Sequence, residues 1–172
     1  NCHGVELNQR YASGAIVADG TPEPDYQRDR ELYYQATTWP GAHLPHVWVE
    51  HHGRRKSVLD LVGKGRFTIL TGIGGDGWKQ AAAAVTATYG LPIDVVTIGP
   101  AGCDALDIYA DWYRQSEVEE DGCVVVRPDM YVGWRAKQAT SNASGILVDV
   151  FGKLLGRIDS GSGRNTASVA AE

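Results

Sequence analysis

The stretch Arg66-Phe67-Thr68-Ile69-Leu70-Thr71, then Gly72-Ile73-Gly74-Gly75-Asp76-Gly77, then Trp78-Lys79-Gln80-Ala81-Ala82-Ala83-Ala84-Val85 decides the fold. A short run rich in β-branched and aromatic residues that stops at glycine reads as a strand. The alanine-rich run after it reads as a helix that ends at Gly90, with Pro92 just beyond as a further stop signal. Ile93-Asp94-Val95-Val96-Thr97-Ile98-Gly99 reads as a second strand, so residues 66–99 form one βαβ unit with parallel strands. Its loop matches G-x-G-x-x-G, a spacing that lets a backbone approach a pyrophosphate at a helix N-terminus.

The same motif needs an acid at the end of the second strand to hold a ribose, roughly 20 residues downstream. Asp94 has that spacing but stands at the beginning of its strand, and no carboxylate occurs near Gly99-Pro100. Asp76 would also set negative charge against an incoming phosphate. The glycines are therefore expected to turn the chain from strand to helix. A free-standing dinucleotide-binding domain using Gly72–Gly77 is the alternative.

Upstream, Arg10-Tyr11-Ala12-Ser13-Gly14-Ala15-Ile16-Val17 is strand-like and ends in the turn Asp19-Gly20-Thr21-Pro22. Two prolines among charged residues then mark a linker, and Trp39-Pro40-Gly41-Ala42-His43-Leu44-Pro45 continues extended. His46-Val47-Trp48-Val49-Glu50 alternates as a strand, and a turn at Gly53-Arg54-Arg55-Lys56 leads to Ser57-Val58-Leu59-Asp60-Leu61. Downstream, residues 104–117 put Leu106, Ala110 and Tyr113 on one helical face beside Trp112. Gly122 to Arg135 reads as two strands joined at Pro128-Asp129. A final helix from about Ser144 to Leu155 carries Ile146, Leu147, Val150, Phe151, Leu154 and Leu155.

The order β, β, α, β, α, β, β, α implies an α/β fold, a mixed sheet flanked by helices, on the plan of a thioredoxin-like domain. The expected divisions are an extended arm and linker at 1–45, the thioredoxin-like domain at 46–157 and a disordered tail at 158–172. In such a fold a redox Cys-x-x-Cys would occupy the junction Gly74-Gly75-Asp76-Gly77-Trp78, which holds no sulfur. Cys103 lies just ahead of the helix expected over 104–117, a place that can lower a thiol pKa, but no second cysteine is near it. Cys123 reads as a small buried hydrophobe.

Sixteen basic against twenty-one acidic residues give a net charge of −5, which argues against nucleic acid or an anionic membrane as partner. No apolar run is long enough to span a bilayer, and three scattered cysteines fit reduced thiols, so a cytoplasmic protein is expected. His43, His46, His51 and His52 invite a metal reading. Strand alternation puts His46 and His52 on one face and His51 on the other, so a shared ion is not expected. The run Glu117, Glu119, Glu120, Asp121 reads as a solvated loop. Trp78 and Trp112 are assigned to the core, and Trp39, Tyr33 and Tyr34 to docking of the arm. The opening Asn1-Cys2-His3-Gly4-Val5, without an initiator Met, reads as part of a longer polypeptide.

Leu59 to Gly72, Gly74-Gly75, Trp78, Val125-Val126-Arg127-Pro128-Asp129 and Tyr131-Val132-Gly133-Trp134-Arg135 together resemble the C-terminal region of FAD-dependent aromatic-ring monooxygenases. The phenol and 2,4-dichlorophenol hydroxylase branch is the nearest in likeness. Gly4 to Tyr11 and Pro40 to His46 join the resemblance, which covers about residues 3 to 157; His43 departs from it, since relatives often carry Arg there. The resemblance implies a thioredoxin-like domain without redox cysteines that follows an FAD- and substrate-binding body. For the parent it implies FAD, NAD(P)H and ortho-hydroxylation of a phenol. For this chain it implies a structural and assembly role with no catalytic, cofactor-binding or metal residue of its own. The partner is then the body of the same polypeptide, with subunit contacts left open. A redox-inactive thioredoxin-like adaptor is the remaining alternative.

Overall fold

The computed structural model describes residues 2–157, and the tail expected at 158–172 lies outside them. Seven strands form one mixed sheet: β1 (Trp48–His51), β2 (Arg54–Ser57), β3 (Phe67–Thr71), β4 (Ile93–Gly99), β5 (Ala105–Leu106), β6 (Cys123–Val126) and β7 (Val132–Ala136). Their order across the sheet is β2-β1-β5-β4-β3-β6-β7. β3, β4 and β5 run parallel, while β6 and β7 close one side as an antiparallel hairpin and β1 and β2 the other. The helices are α1 (His3–Leu7), α2 (Asp76–Tyr89), α3 (Asp111–Gln115) and α4 (Ala143–Leu154).

The βαβ reading holds: β3 pairs with β4 in parallel through the α2 crossover, and Gly90 caps α2 with its N–H on Thr86 O at 2.9 Å. Period-two alternation divides the sheet between two cores. Ile69 and Val125 face α2 and α4, with Trp78, Leu147 and Phe151. Leu70 and Val124 face the opposite side, with Leu44, Val58, Ile98 and Trp112. The apolar stripe of the last helix thus closes the domain's own core against α2. Helix cover is unequal, because the second face is covered by a 3₁₀ turn at Val58–Leu61, the segment before β1 and the short α3.

Four local expectations are corrected. The turn expected at Gly53–Lys56 is tighter: His52 and Gly53 alone make it, both left-handed, and Arg54–Ser57 becomes a strand. Ser57–Leu61 leads into a 3₁₀ turn, because Ser57 Oγ accepts from the Leu59 N–H and the Asp60 carboxylate accepts from the Ser57 N–H. Arg10–Val17 forms no strand and keeps one isolated bridge, Arg10 to Ala42. The helix expected over 104–117 shrinks to Asp111–Gln115, since Asp104 accepts from both Thr97 N–H and Thr97 Oγ1 and draws Ala105–Leu106 alongside β4. Side-chain bonds to the backbone outcompete helical periodicity there.

The outer edge of β7 is covered by the chain that precedes the sheet. Gly41 N–H donates to Val132 O and Val132 N–H to Ala42 O, at 2.8 and 2.9 Å. Val17 N–H donates to Gly133 O and Leu44 N–H to Met130 O. An edge that would otherwise offer unpaired backbone groups is thereby closed.

Candidate functional site

The glycine turn sits at the carboxyl end of β3, packed against residues 119–122. A Cβ on Gly72 would lie 2.3 Å from Glu120 O, one on Gly74 2.8 Å from Asp121 Cβ, and one on Gly75 2.0 Å from Thr71 Oγ1. Gly74 N–H donates to Glu120 O at 3.2 Å, Thr71 Oγ1 to Gly122 O at 2.6 Å and Trp78 Nε1 to Asp121 O at 2.8 Å. The close approach that these glycines permit is therefore used by the protein's own residues, Glu120 at Gly72, Asp121 at Gly74 and the Thr71 side chain at Gly75. Gly77 is different, its nearest neighbour for a Cβ being Ala143 Cβ at 4.0 Å. Asp94 stands at the opposite end of β4, 3.1 Å from Arg66. A turn filled by an acidic loop does not fit a pyrophosphate, and FAD or a nicotinamide dinucleotide has no cradle in it.

Beside the turn lies a cleft of about 320 Å³. Its walls are the exit of β3 (Thr71, Ile73), the exit of β4 (Ile98, Pro100) and the segment carrying Trp112 and Val118. The chain leaves β3 towards the α2 face and β4 towards the α3 face, so the two connections diverge. Such divergence opens a crevice at the carboxyl ends of parallel strands. Ala110 and Glu117, at either end of α3, hold φ of 53° and 55°, a left-handed conformation that non-glycine residues adopt seldom.

The other organised polar centre is Arg135 in β7, 5% exposed. Its Nε donates to Asp19 at 2.6 Å, its Nη1 to Glu117 and to Thr38 Oγ1, and its Nη2 to Thr21 Oγ1 at 3.3 Å. Thr37 Oγ1 and Thr38 N–H also donate to Glu117, and Thr38 Oγ1 donates to Ser116 O. One guanidinium thus joins residues 19–21, 37–38 and 116–117 to the sheet. Glu117 consequently belongs to a built network and not to a solvated acidic run. Sequence reading missed this centre: Arg135 and Asp19 are 116 residues apart, and no spacing rule links them. The available signal was an arginine inside an otherwise apolar strand.

Burial works to raise the Asp19 pKa, but hydrogen bonds from Thr21 and Arg135 and the Arg135 charge outweigh it and hold it below its ordinary 3.8. Asp104 is lowered as well, first by the Thr97 backbone bond and then by the Thr97 hydroxyl. A carboxylate that binds its proton less readily folded than unfolded stabilises fully above the unfolded pKa. That contribution disappears as pH falls through the folded one. The chain is therefore expected to lose stability below about pH 4, with Asp19→Asn flattening the loss in urea titrations.

Among the described residues no group of three or more His, Cys, Asp or Glu side chains could hold a metal. The separation expected for His51 and His52 is nevertheless corrected: their rings lie 3.9 Å apart, because His52 is a left-handed turn residue and leaves the strand alternation. Burial and then the electrostatic influence of the neighbouring His52 lower the His51 pKa, which favours neutral imidazole. His43 packs edge-on against Tyr131, and His46 Nδ1 meets Ser57 Oγ at 2.7 Å.

Trp78 and Trp112 are core residues as read, and Trp39 Nε1 donates to Thr21 O within the segment that precedes β1. Tyr33 is exposed under the Arg28 guanidinium, and burial raises the Tyr34 pKa to about 12. The lowered thiol pKa considered for Cys103 is overturned, since burial raises it, and Cys123 is raised further by full burial. Cys2 is exposed. With a thiol reagent at neutral pH, Cys2 is expected to react first and Cys123 only on unfolding, as mass spectrometry of timed samples would show.

The chain belongs to the family described as "Aromatic-ring hydroxylase, C-terminal", whose profile matches residues 37–157. Among named relatives, it is 54% identical over 136 residues to 2,4-dichlorophenol 6-monooxygenase of Delftia acidovorans, covering 79% of this chain and 23% of that protein. It is 41% identical over 150 residues to phenol 2-monooxygenase of Pseudomonas sp. strain EST1001, covering 87% and 24%. The flavin-dependent monooxygenase PieE, solved in complex with FAD and substrate, superposes with a TM-score of 0.85 at 49% identity, over 92% of this chain and 27% of that one. The chain thus spans about a quarter of the length of these relatives. Among the described residues no helix is long and apolar enough to cross a membrane.

Proposed function

We propose that this chain is the C-terminal structural and assembly domain of a flavin-dependent phenol hydroxylase of the chlorophenol type. FAD, NAD(P)H and the phenol are used by the remainder of the polypeptide. The observation that carries this reading is the quarter-length match to 2,4-dichlorophenol and phenol monooxygenases, across nearly all of this chain. The filled glycine turn supports it, because the one loop with dinucleotide spacing is occupied by residues 119–122. A parallel β3–α2–β4 unit beside the β6–β7 hairpin supports a thioredoxin-like plan whose thiol junction has become that turn. Residues 1–45 then serve as the arm from the body, clasped to β7 and Arg135, ahead of the domain at 46–157. We place the parent enzyme in the cytoplasm.

Mixing the purified chain with the separately produced FAD-binding body of the same polypeptide tests the proposal. A stable complex is expected, with NAD(P)H-dependent hydroxylation of a phenol that this chain alone does not perform. Failure to form any complex would favour a free-standing adaptor.

A further inference from the structure

The cleft at the ends of β3 and β4 is not accounted for by a structural role, and its chemistry is specific. Ile98, Pro100 and Trp112 give it an apolar floor, and Glu119 and Glu120 stand at its rim. Ile73 and Tyr113 form lips that are 55% and 56% exposed. Beyond the rim the surface opens into a wider groove lined by Glu119, Glu120, Asp121 and Gln138. The carboxylates of Glu119 and Glu120 make no ion pair among the described residues. Of the cations near it, Lys79 is engaged with Asp76 at 3.1 Å and Arg114 with Asp111 at 2.5 Å, while Lys137, whose backbone O accepts from the Glu119 N–H, makes no ion pair among the described residues. An apolar floor under a rim whose two carboxylates make no ion pair disfavours phenolates, carboxylates and nucleotides. It complements a positive charge attached to an apolar body.

We propose that this cleft binds a small aromatic amine in its cationic form, the ring against Ile73, Ile98 and Trp112 and the ammonium at Glu119 and Glu120. A volume of about 320 Å³ is at the small end of the usual range for ligand pockets, about 300–1,000 Å³, and suits a single ring with a short side chain. Trp112 and Tyr113 add aromatic surface that favours a cation beside it. The inference rests on this cleft alone and is independent of the parent enzyme proposed above.

Benzylamine, benzyl alcohol and benzoate, titrated in turn into the isotope-labelled chain, test it by the shifts of the Gly72, Ile73 and Gly99 amides and the Trp112 indole. Benzylamine is expected to bind about tenfold more tightly than benzyl alcohol at low salt, with the difference shrinking at high salt, and benzoate to bind least. The double variant Glu119→Gln, Glu120→Gln changes only exposed rim groups. It should remove the preference for benzylamine and leave benzyl alcohol binding unchanged. The proposal is overturned if benzylamine leaves these signals unmoved, if benzoate matches it, or if the double variant keeps the preference. Shifts produced by protein concentration alone would put a second copy in the cleft, and shifts produced by penta-lysine but not benzylamine would put a basic peptide there. Either result also overturns it.

Discussion

Replacing Arg135 by alanine is expected to destabilise the folded chain by about 3–5 kcal/mol, read as a fall in the urea midpoint. The magnitude follows from what remains after the change. Asp19, its side chain 4% exposed, would keep its negative charge with Thr21 as its remaining partner, and Glu117 would lose the guanidinium while still holding Thr37 and Thr38. A buried carboxylate without its counter-charge loses more than the pair contributed when intact. Arg135→Lys should recover less than half of the loss, because one ammonium cannot reach Asp19, Glu117 and Thr21 from a single point. Hydrogen exchange should locate the damage, with the amides of Val17 and Gly41 losing protection as the clasp on β7 opens. A loss below about 1 kcal/mol for Arg135→Ala would show the network to be a surface feature.

The second large effect separates two readings of the glycine turn. Gly72→Ala is expected to destabilise by about 3 kcal/mol, since its Cβ would meet the Glu120 backbone at 2.3 Å and neither side is a flexible side-chain end. Gly77→Ala should instead stabilise by about 0.5 kcal/mol, because that position lies in the first turn of α2 and a Cβ there would make only an ordinary contact, with Ala143 Cβ at 4.0 Å. A dinucleotide cradle would not tolerate this pattern, for there the third glycine is needed for close packing of helix on strand. Equal effects at the two positions would contradict the turn described here.

The centre of the fold was legible because strand, turn and helix between Arg66 and Gly99 each carry their own local signals, and these agree. The β6–β7 hairpin was legible for the same reason. Legibility failed where side chains bind backbone at a distance. Asp104 on Thr97 converts the start of an expected helix into β5, and Asp107 accepts from the Trp112 and Tyr113 N–H groups to start α3 late. The capping pattern Ser57-Val58-Leu59-Asp60 was present in the sequence and marks the 3₁₀ turn. Of the candidate site, the absence of sulfur from the turn and the wrong polarity of Asp94 were readable from order alone. The filling of the turn by Glu120 and Asp121 was not, because it joins segments more than forty residues apart, as Trp78 and Asp121 are with a separation of 43. Nor was the Arg135 clasp, whose three partner segments lie before and after the sheet's central strands.

A structural glycine turn, with the flavin chemistry in the rest of the polypeptide, leaves this chain without affinity for either kind of dinucleotide. Calorimetric titration of the purified chain with FAD, NADH and NADPH is expected to give no saturable heat with any of the three at micromolar concentrations. Micromolar binding of any one of them, lost in Gly72→Ala, would contradict it.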